Sequence, residues 1–176
     1  MNQKKSLSPM EEQATIRRVY EDVARRVGLT HLNMEVLTLQ EHGLDSFCEC
    51  GKCKSSIPNM GITEHKRWPG EYRLIYSPGI TTHYDTWMLA SVMAHELGHV
   101  VLGHVRRGVG STPEAERAAD AYATRHGFAD GLRRVMEYNA ELADSIQPGT
   151  SWQASDTHPA LQERIYTLGQ YDRMAA

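Results

Sequence analysis

The sequence predicts an α+β fold that is mostly helical, with a small β-sheet preceding a central helix. Several segments carry apolar residues at helical spacing between capping residues, and two shorter segments are rich in strand formers. At 176 residues the chain is long enough for one domain with its own hydrophobic core. We therefore expect a single domain over 1–176, with a helix and a strand in 1–40, a cysteine-containing loop in 41–70 and the domain core in 71–176.

The composition argues against nucleic-acid and membrane partners. The chain has 19 Lys and Arg against 22 Asp and Glu, a formal net charge of −3, without a long run of like charges. Its longest apolar run, 87–90, is far shorter than the roughly 20 residues that cross a bilayer. No apolar segment follows the basic N-terminus, so no secretory signal is visible. These features predict a cytoplasmic protein that binds neither nucleic acid nor a membrane.

The N-terminal segment carries a helix start. Ser8 and Glu11 form a capping-box pattern, with Pro9 at the first helical position. Apolar residues then follow helical spacing as far as Gly28, where we expect the helix to end. Residues 33–39 alternate in the manner of a strand and are predicted to form one.

Residues 41–70 are predicted to be a long irregular connection. They hold three cysteines at C-x-C-x-x-C spacing: Cys48, Cys50 and Cys53. A loop of this length in a compact domain is usually functional or tied down by something. The three thiolates could close around a structural zinc ion with His42 or His65 as the fourth ligand. Three reduced thiols in a surface loop are an equal alternative, because three cysteines alone do not complete a tetrahedral site.

Residues 72–77 form the second segment rich in strand formers, and Pro78 with Gly79 ends it. Because this strand comes shortly before the longest helix, it could be a sheet edge along which an extended peptide pairs through backbone hydrogen bonds. An ordinary interior strand is the alternative, and the sequence does not decide between them.

The longest predicted helix spans residues 86–105 and contains the sequence His-Glu-Leu-Gly-His. In a helix, His95 and His99 lie one turn apart on one face, so both imidazoles can bind a single metal ion. Glu96 is turned about 100° from His95 and can act as a base on water without being a ligand. Two histidines and a glutamate are costly to bury in an apolar helix unless a metal ion satisfies them.

A third metal ligand has to come from elsewhere in the chain. The pattern H-E-x-x-H-x-x-G-x-x-H would place glycine at 102 and histidine at 105, where this chain has Leu102 and Val105. His104 lies five residues after His99 and, on a continuous helix, would be turned about 140° from the ligand face. We therefore expect His104 to be a structural polar residue at the helix end.

The next predicted helix begins at Thr112 and Pro113 and ends at Gly127. Glu116 and Asp120 are four residues apart, so they share one face. We expect Glu116 to be a zinc ligand and Asp120 to be a carboxylate that holds a ligating imidazole by its other nitrogen. An acidic solvent face is the alternative, but the alanines between these residues suit close packing against another helix.

Three ordered elements of this chain resemble the HtpX and CAAX-prenyl-protease family of gluzincin zinc metallopeptidases. They are H-E-L-G-H at 95–99, E-R-A-A-D-A-Y-A at 116–123, and T-H-P followed by E-R-I within 157–165. The resemblance covers about residues 72–170 and implies a zincin-like domain, with zinc on the histidine pair and the later glutamate. The well-known members of that family carry transmembrane helices, and this chain resembles the small members without them.

The resemblance also implies roles for residues near the C-terminus. The histidine and arginine of the third element are placed near the substrate in that family, which carries over to His158 and Arg164. Taken alone, these two residues would be an ordinary helix cap and a surface cation. Pro159 is predicted to begin the last helix, and residues 131–145 to form a supporting helix before it.

These observations predict a zinc-dependent endopeptidase with its catalytic core in 71–176, which hydrolyses polypeptides by a zinc-activated water with Glu96 as general base. Two other functions stay open. A dedicated regulatory peptidase similar to the ImmA type would cleave one repressor or partner, although that type carries asparagine where this chain has Asp120. A non-catalytic zinc-dependent module would instead bind a peptide along a sheet edge.

Overall fold

The computed structural model of this protein describes residues 6–44, 58–107, 112–146 and 161–174. The elements in chain order are α1 (Pro9–Arg26), β1 (Asn33–Thr38), β2 (Met60–Glu64), β3 (Glu71–Tyr76), α2 (Ile80–His83), α3 (Thr86–Val101), α4 (His104–Arg107), α5 (Pro113–Arg125), α6 (Ala129–Ile146) and α7 (Leu161–Met174). The prediction of a mostly helical α+β fold with a small sheet before the central helix is confirmed. None of the described helices is both long and apolar enough to cross a membrane.

The three strands form one sheet in the order β1-β3-β2. β3 pairs with β1 in parallel and with β2 antiparallel, so β3 is the interior strand of this sheet. Of the two alternatives for residues 72–77, the sheet edge is therefore wrong and the interior strand is confirmed. The expectation of an irregular connection over 41–70 is also wrong in part, because β2 lies within it. β2 contains a glycine and a glutamate, which are weak strand formers, and it is stabilised by its pairing with β3.

Helix α3 occupies the centre of the fold, packed against α1, α5, α6 and β2. Most of its apolar side chains are buried, and they lie on several sides of the helix, as Met88, Leu89 and Leu97 show. Asp85 caps its first turn by accepting a hydrogen bond from the backbone N–H of Met88. The helix that carries the His-Glu-Leu-Gly-His sequence is therefore rigidly surrounded by other elements, which is what a precise site needs.

α3 ends at Val101, four residues before the predicted end. Leu102 is its C-cap, and Gly103 adopts a left-handed conformation with φ of 72°. Glycine tolerates this conformation and commonly ends helices in this way. The chain therefore turns at Gly103, and α4 begins as a separate short helix at His104.

Helix α1 is tied to the turn that precedes α3. Ser8 and Glu11 form the predicted capping box at its start. One turn further, the carboxylate of Glu12 is buried and accepts hydrogen bonds from the backbone N–H of Gly79 and from the backbone N–H and hydroxyl of Thr81. A buried carboxylate needs such partners, so Glu12 links the N-terminal helix to the segment between β3 and α3.

Candidate metal centre

Three buried donor side chains meet between α3 and α5. The imidazole Nε2 atoms of His95 and His99 lie 3.2 Å apart. Glu116 places Oε2 at 3.5 Å from Nε2 of His95 and Oε1 at 3.5 Å from Nε2 of His99. Tetrahedral zinc ligands about 2.0–2.1 Å from the ion lie roughly 3.4 Å from one another. Among the described residues, the spacing of these three donors thus fits one zinc ion.

The local sequence explains how Glu116 reaches the two imidazoles. Thr112 caps α5 by accepting a hydrogen bond from the backbone N–H of Ala115, and it sets Glu116 in the first turn. A carboxylate is also favoured there by the positive end of the helix dipole. On α3, a methyl group added at Gly98 would lie 3.1 Å from the Tyr122 side chain of α5. The glycine therefore lets the two helices approach closely enough for a short side chain to bridge them.

Asp120 lies one turn after Glu116 and contacts the other nitrogen of His95. Its Oδ1 is 2.9 Å from Nδ1 of His95. The guanidinium of Arg164, from α7, donates two hydrogen bonds to Asp120, each of 2.8 Å. The same guanidinium places Nη1 at 3.2 Å from Oε2 of Glu116. Arg164 therefore joins the two carboxylates of α5, and it also lines the cleft beside them.

The charged side chains of this cluster shift one another's pKa toward the charged form. Burial lowers the pKa of His95, but the carboxylates of Asp120 and Glu116 outweigh it and raise that pKa to about 10. Burial raises the pKa of Asp120, while contacts with His95 and Arg164 outweigh it and hold that pKa below its usual value. The carboxylates of Asp120 and Glu116 therefore lie beside the imidazole of His95 as well as the guanidinium of Arg164. A zinc ion bound through Nε2 of His95 would replace the second proton of that ring, because a ligating imidazole is neutral.

Glu96 stands beside the donors and contacts the sheet. Its Oε2 accepts a hydrogen bond of 3.2 Å from the backbone N–H of Ile62 in β2. Burial raises the pKa of Glu96, although the imidazoles of His95 and His99 act in the opposite direction. The carboxyl group therefore takes up a proton more readily than an exposed glutamate does.

The donors open into a cleft of about 520 Å³. Residues of β2 line this cleft together with an apolar wall from α3 and α6: Val92, Leu132, Val135 and Met136. Tyr84 and Asn139 also line the cleft, and the Tyr84 hydroxyl lies 2.8 Å from the amide oxygen of Asn139 and 2.8 Å from the carbonyl oxygen of Pro58. A cleft with one apolar wall, a strand edge and a few polar groups suits a peptide.

Several predicted site residues lie outside the described part of the chain: His158, Cys48, Cys50 and Cys53. A structural zinc site at the cysteines therefore stays a prediction, as does the role of His158. His65 is one of the two histidines suggested as the fourth ligand of the cysteine site. Its Nδ1 accepts hydrogen bonds from the backbone N–H groups of Arg67 and Trp68 in the turn between β2 and β3.

The expectation that His104 points away from the ligand face is wrong. Its Nδ1 lies 3.0 Å from Nδ1 of His99. The expectation assumed a continuous helix, whereas the turn at Gly103 brings the ring of His104 back toward the cluster. The Leu-Gly-His sequence at 102–104 could have indicated this break in the helix, because a glycine after an apolar helix is a common helix end. The Ile62 contact gave no sequence signal, since any residue supplies a backbone N–H.

Fold and site together define a class of protein. Two histidines one turn apart, a glutamate from the following helix and an adjacent cleft are the arrangement of a zinc-dependent peptidase. The family model of peptidase family M48 matches residues 10–112, more than half of the chain, and the chain belongs to this family. Family members are zinc metallopeptidases, so the coarse prediction of a zinc metallopeptidase is confirmed.

The family match covers only part of the site. It contains His95, Glu96 and His99 but ends at residue 112, before Glu116 and Asp120. The carboxylates of α5 are therefore candidates on geometry rather than on the match. Comparisons with curated proteins and with solved structures give no significant match to this chain.

Proposed function

We propose that this protein is a zinc endopeptidase in which His95, His99 and Glu116 bind the metal ion and Glu96 is the general base. The observation that supports this proposal most strongly is the donor spacing of 3.2, 3.5 and 3.5 Å among three buried side chains. When bound, zinc supplies a Lewis acid that activates water and polarises the scissile carbonyl group.

Glu96 handles the proton in this proposal. The backbone N–H of Ile62 holds Oε2, which fixes the carboxylate and leaves Oε1 to accept a proton from the attacking water. The same carboxyl group then returns the proton to the leaving amine. Burial raises the pKa of Glu96 toward the working pH, which favours both steps.

Asp120 and Arg164 position the ligands. Asp120 places Oδ1 at 2.9 Å from Nδ1 of His95, where its charge favours the tautomer that carries the proton on Nδ1 and leaves the lone pair of Nε2 for the metal ion. Arg164 holds the carboxylates of Asp120 and Glu116 in place and offsets part of their charge. The family resemblance also suggests a contact between Arg164 and the substrate, and the position of Arg164 in the lining of the cleft supports this part of the proposal.

The substrate is proposed to be a polypeptide bound along β2. In the β2–β3 ladder, Ser77 donates to Asn59 and His65 donates to Glu71, so the backbone groups of alternate residues face β3. The carbonyl groups of Met60 and Ile62 face the other way, toward the cleft. An extended peptide paired there would lie beside Glu96, with one side chain against the apolar wall.

The assigned roles are tested by separating zinc content from turnover. Glu96→Gln should keep stoichiometric zinc and lose at least about 100-fold in the rate of casein or peptide digestion, because it removes the general base. Glu116→Ala should lose zinc, measured by atomic absorption after dialysis. Glu114→Ala is the matched control, since Glu114 lies in the same helical turn with its side chain 80% exposed.

Unimpaired digestion by Glu96→Gln would refute the assigned base, and unchanged zinc content in Glu116→Ala would refute the assigned ligand. The same measurements separate the two other functions. A non-catalytic module binds zinc without digesting any peptide. A dedicated regulatory peptidase leaves casein and mixed peptides intact and cleaves only its own partner protein.

A further inference from the structure

The two histidines of the metal centre differ in what contacts their second ring nitrogen. Nδ1 of His95 faces a carboxylate oxygen of Asp120 at 2.9 Å. Nδ1 of His99 faces Nδ1 of His104 at 3.0 Å, with the two rings inclined at 63°. The inclined rings exclude stacking, so the two nitrogens meet as the donor and acceptor of one hydrogen bond.

The direction of that hydrogen bond follows from ligation. A histidine that binds metal through Nε2 carries its proton on Nδ1, since only one nitrogen of a neutral ring is protonated. His99 is therefore the donor, and the Nδ1 lone pair of His104 accepts. The reverse arrangement would put a proton on Nε2 of His99 and block metal binding. The contact with His104 thus selects the tautomer of His99 that can bind the ion.

We propose that His104 is a positioning residue for the zinc ligand His99, with the same task that Asp120 has for His95. This inference depends on the proposed zinc site. Partners of this kind fix the orientation and tautomer of a ligating imidazole. A neutral acceptor also suits this position, because two carboxylates, those of Asp120 and Glu116, already lie beside the imidazoles. His104 orients His99 without adding a further negative charge.

The backbone explains how a residue just beyond the helix can do this. α3 ends at Val101, and the left-handed conformation of Gly103 turns the chain before α4 begins at His104. On an uninterrupted helix a residue five positions after His99 would face away from it. The break between α3 and α4 is therefore the device that places this imidazole.

The test compares variants that keep or remove the acceptor. His104→Asn carries an oxygen near the position of Nδ1, whereas His104→Leu fills the space without an acceptor. Zinc dissociation constants are measured on metal-stripped protein by competition with a chromogenic chelator. We expect His104→Leu to weaken zinc binding by about 10-fold or more and His104→Asn to stay within about 3-fold of the wild type. Cobalt(II) spectra should shift for the leucine variant and not for the asparagine variant.

Controls separate this role from a role in folding alone. His126→Leu changes another half-buried histidine at a helix end, whose ring packs on Tyr122, and it should leave zinc binding unchanged. The melting temperature of each metal-free variant reports damage to the fold. Should His104→Leu fail to fold, His104→Ala replaces it, since it also lacks the acceptor.

Unchanged zinc affinity in the leucine or alanine variant would overturn the proposal. Equal weakening in the leucine and asparagine variants would overturn it too, because the ring shape rather than the acceptor would then matter. These outcomes are read against wild-type protein that binds one equivalent of zinc. A wild type that binds no zinc would instead refute the proposed function, and the role of His104 with it.

Discussion

Helix α3 makes two close contacts with neighbouring helices, and glycine permits each of them. In the contact between α3 and α5, the glycine is Gly98 of α3, which faces Tyr122 and the backbone of Ala119. In the contact between α3 and α6, the glycine is Gly131 of α6, which faces Ser91 of α3. The first contact brings carboxylates to the imidazoles, and the second forms the apolar wall of the cleft.

The space left at the two glycines differs. A methyl group at Gly98 would lie 3.1 Å from the Tyr122 side chain and 3.3 Å from Cα of Ala119, a tight fit without overlap. A methyl group at Gly131 would overlap Oγ of Ser91. The contact with α6 is therefore limited by volume, and the contact with α5 by the positions of donor atoms. Substitution of the glycine should therefore change stability mainly at the contact with α6 and metal affinity mainly at the contact with α5.

The largest expected effect on stability comes from charge at the contact with α5. Arg164→Met should lower the free energy of unfolding of the metal-free protein by about 3 kcal/mol, because it removes the guanidinium that pairs with two buried carboxylates. Urea denaturation of chelator-treated protein measures this change.

The matched control is Arg117→Met, since Arg117 pairs with Glu114 and Glu163 at a site where its side chain is 48% exposed. Exposed ion pairs contribute little, so this variant should lose less than about 1 kcal/mol. Equal losses in the two variants would contradict the buried role of Arg164.

Gly131→Ala should have the next largest effect, a loss of about 2 kcal/mol from overpacking against Ser91 and Trp87. Zinc affinity should stay at the wild-type value, because no donor lies at this contact. The double variant with Ser91→Ala should recover part of the loss in thermal or urea denaturation. Zinc binding that falls together with stability would show that the two contacts are not independent.

Gly98→Ala should have the smallest effect on stability. The gain in helix propensity, about 1 kcal/mol, offsets the strain against Tyr122. Zinc binding should nevertheless weaken by about 10-fold, because a small displacement of α5 moves Glu116 and Asp120. Chelator competition measures this, and unchanged affinity would mean that the helix spacing does not set the donor positions.

The parts of the fold that depend on local sequence could be predicted. The capping box at Ser8 and the cap at Thr112 begin α1 and α5 as expected, since each cap involves residues only three positions apart. The proposed donors could be selected for the same reason. His95 and His99 are four residues apart and share one face of α3, and Glu116 shares one face of α5 with Asp120 for the same reason.

The remaining features depend on contacts between distant parts of the chain. β2 has weak strand character, and only its partner β3 makes it a strand. The pairing of Arg164 with Asp120 joins residues 44 positions apart, and no local pattern announces it. The contact of His104 with His99 could not be predicted from a helical projection, because such a projection assumes a continuous helix and the chain turns at Gly103.

The hydrogen bond between Ile62 and Glu96 has a mechanical consequence. It joins the side chain proposed as the general base to the strand proposed to bind the peptide, so a displacement of one would move the other. A polypeptide bound in the wrong register would displace β2, and with it the carboxylate that accepts a proton from water in the proposed mechanism. In that mechanism, substrate alignment and proton transfer would be coupled through a single main-chain amide.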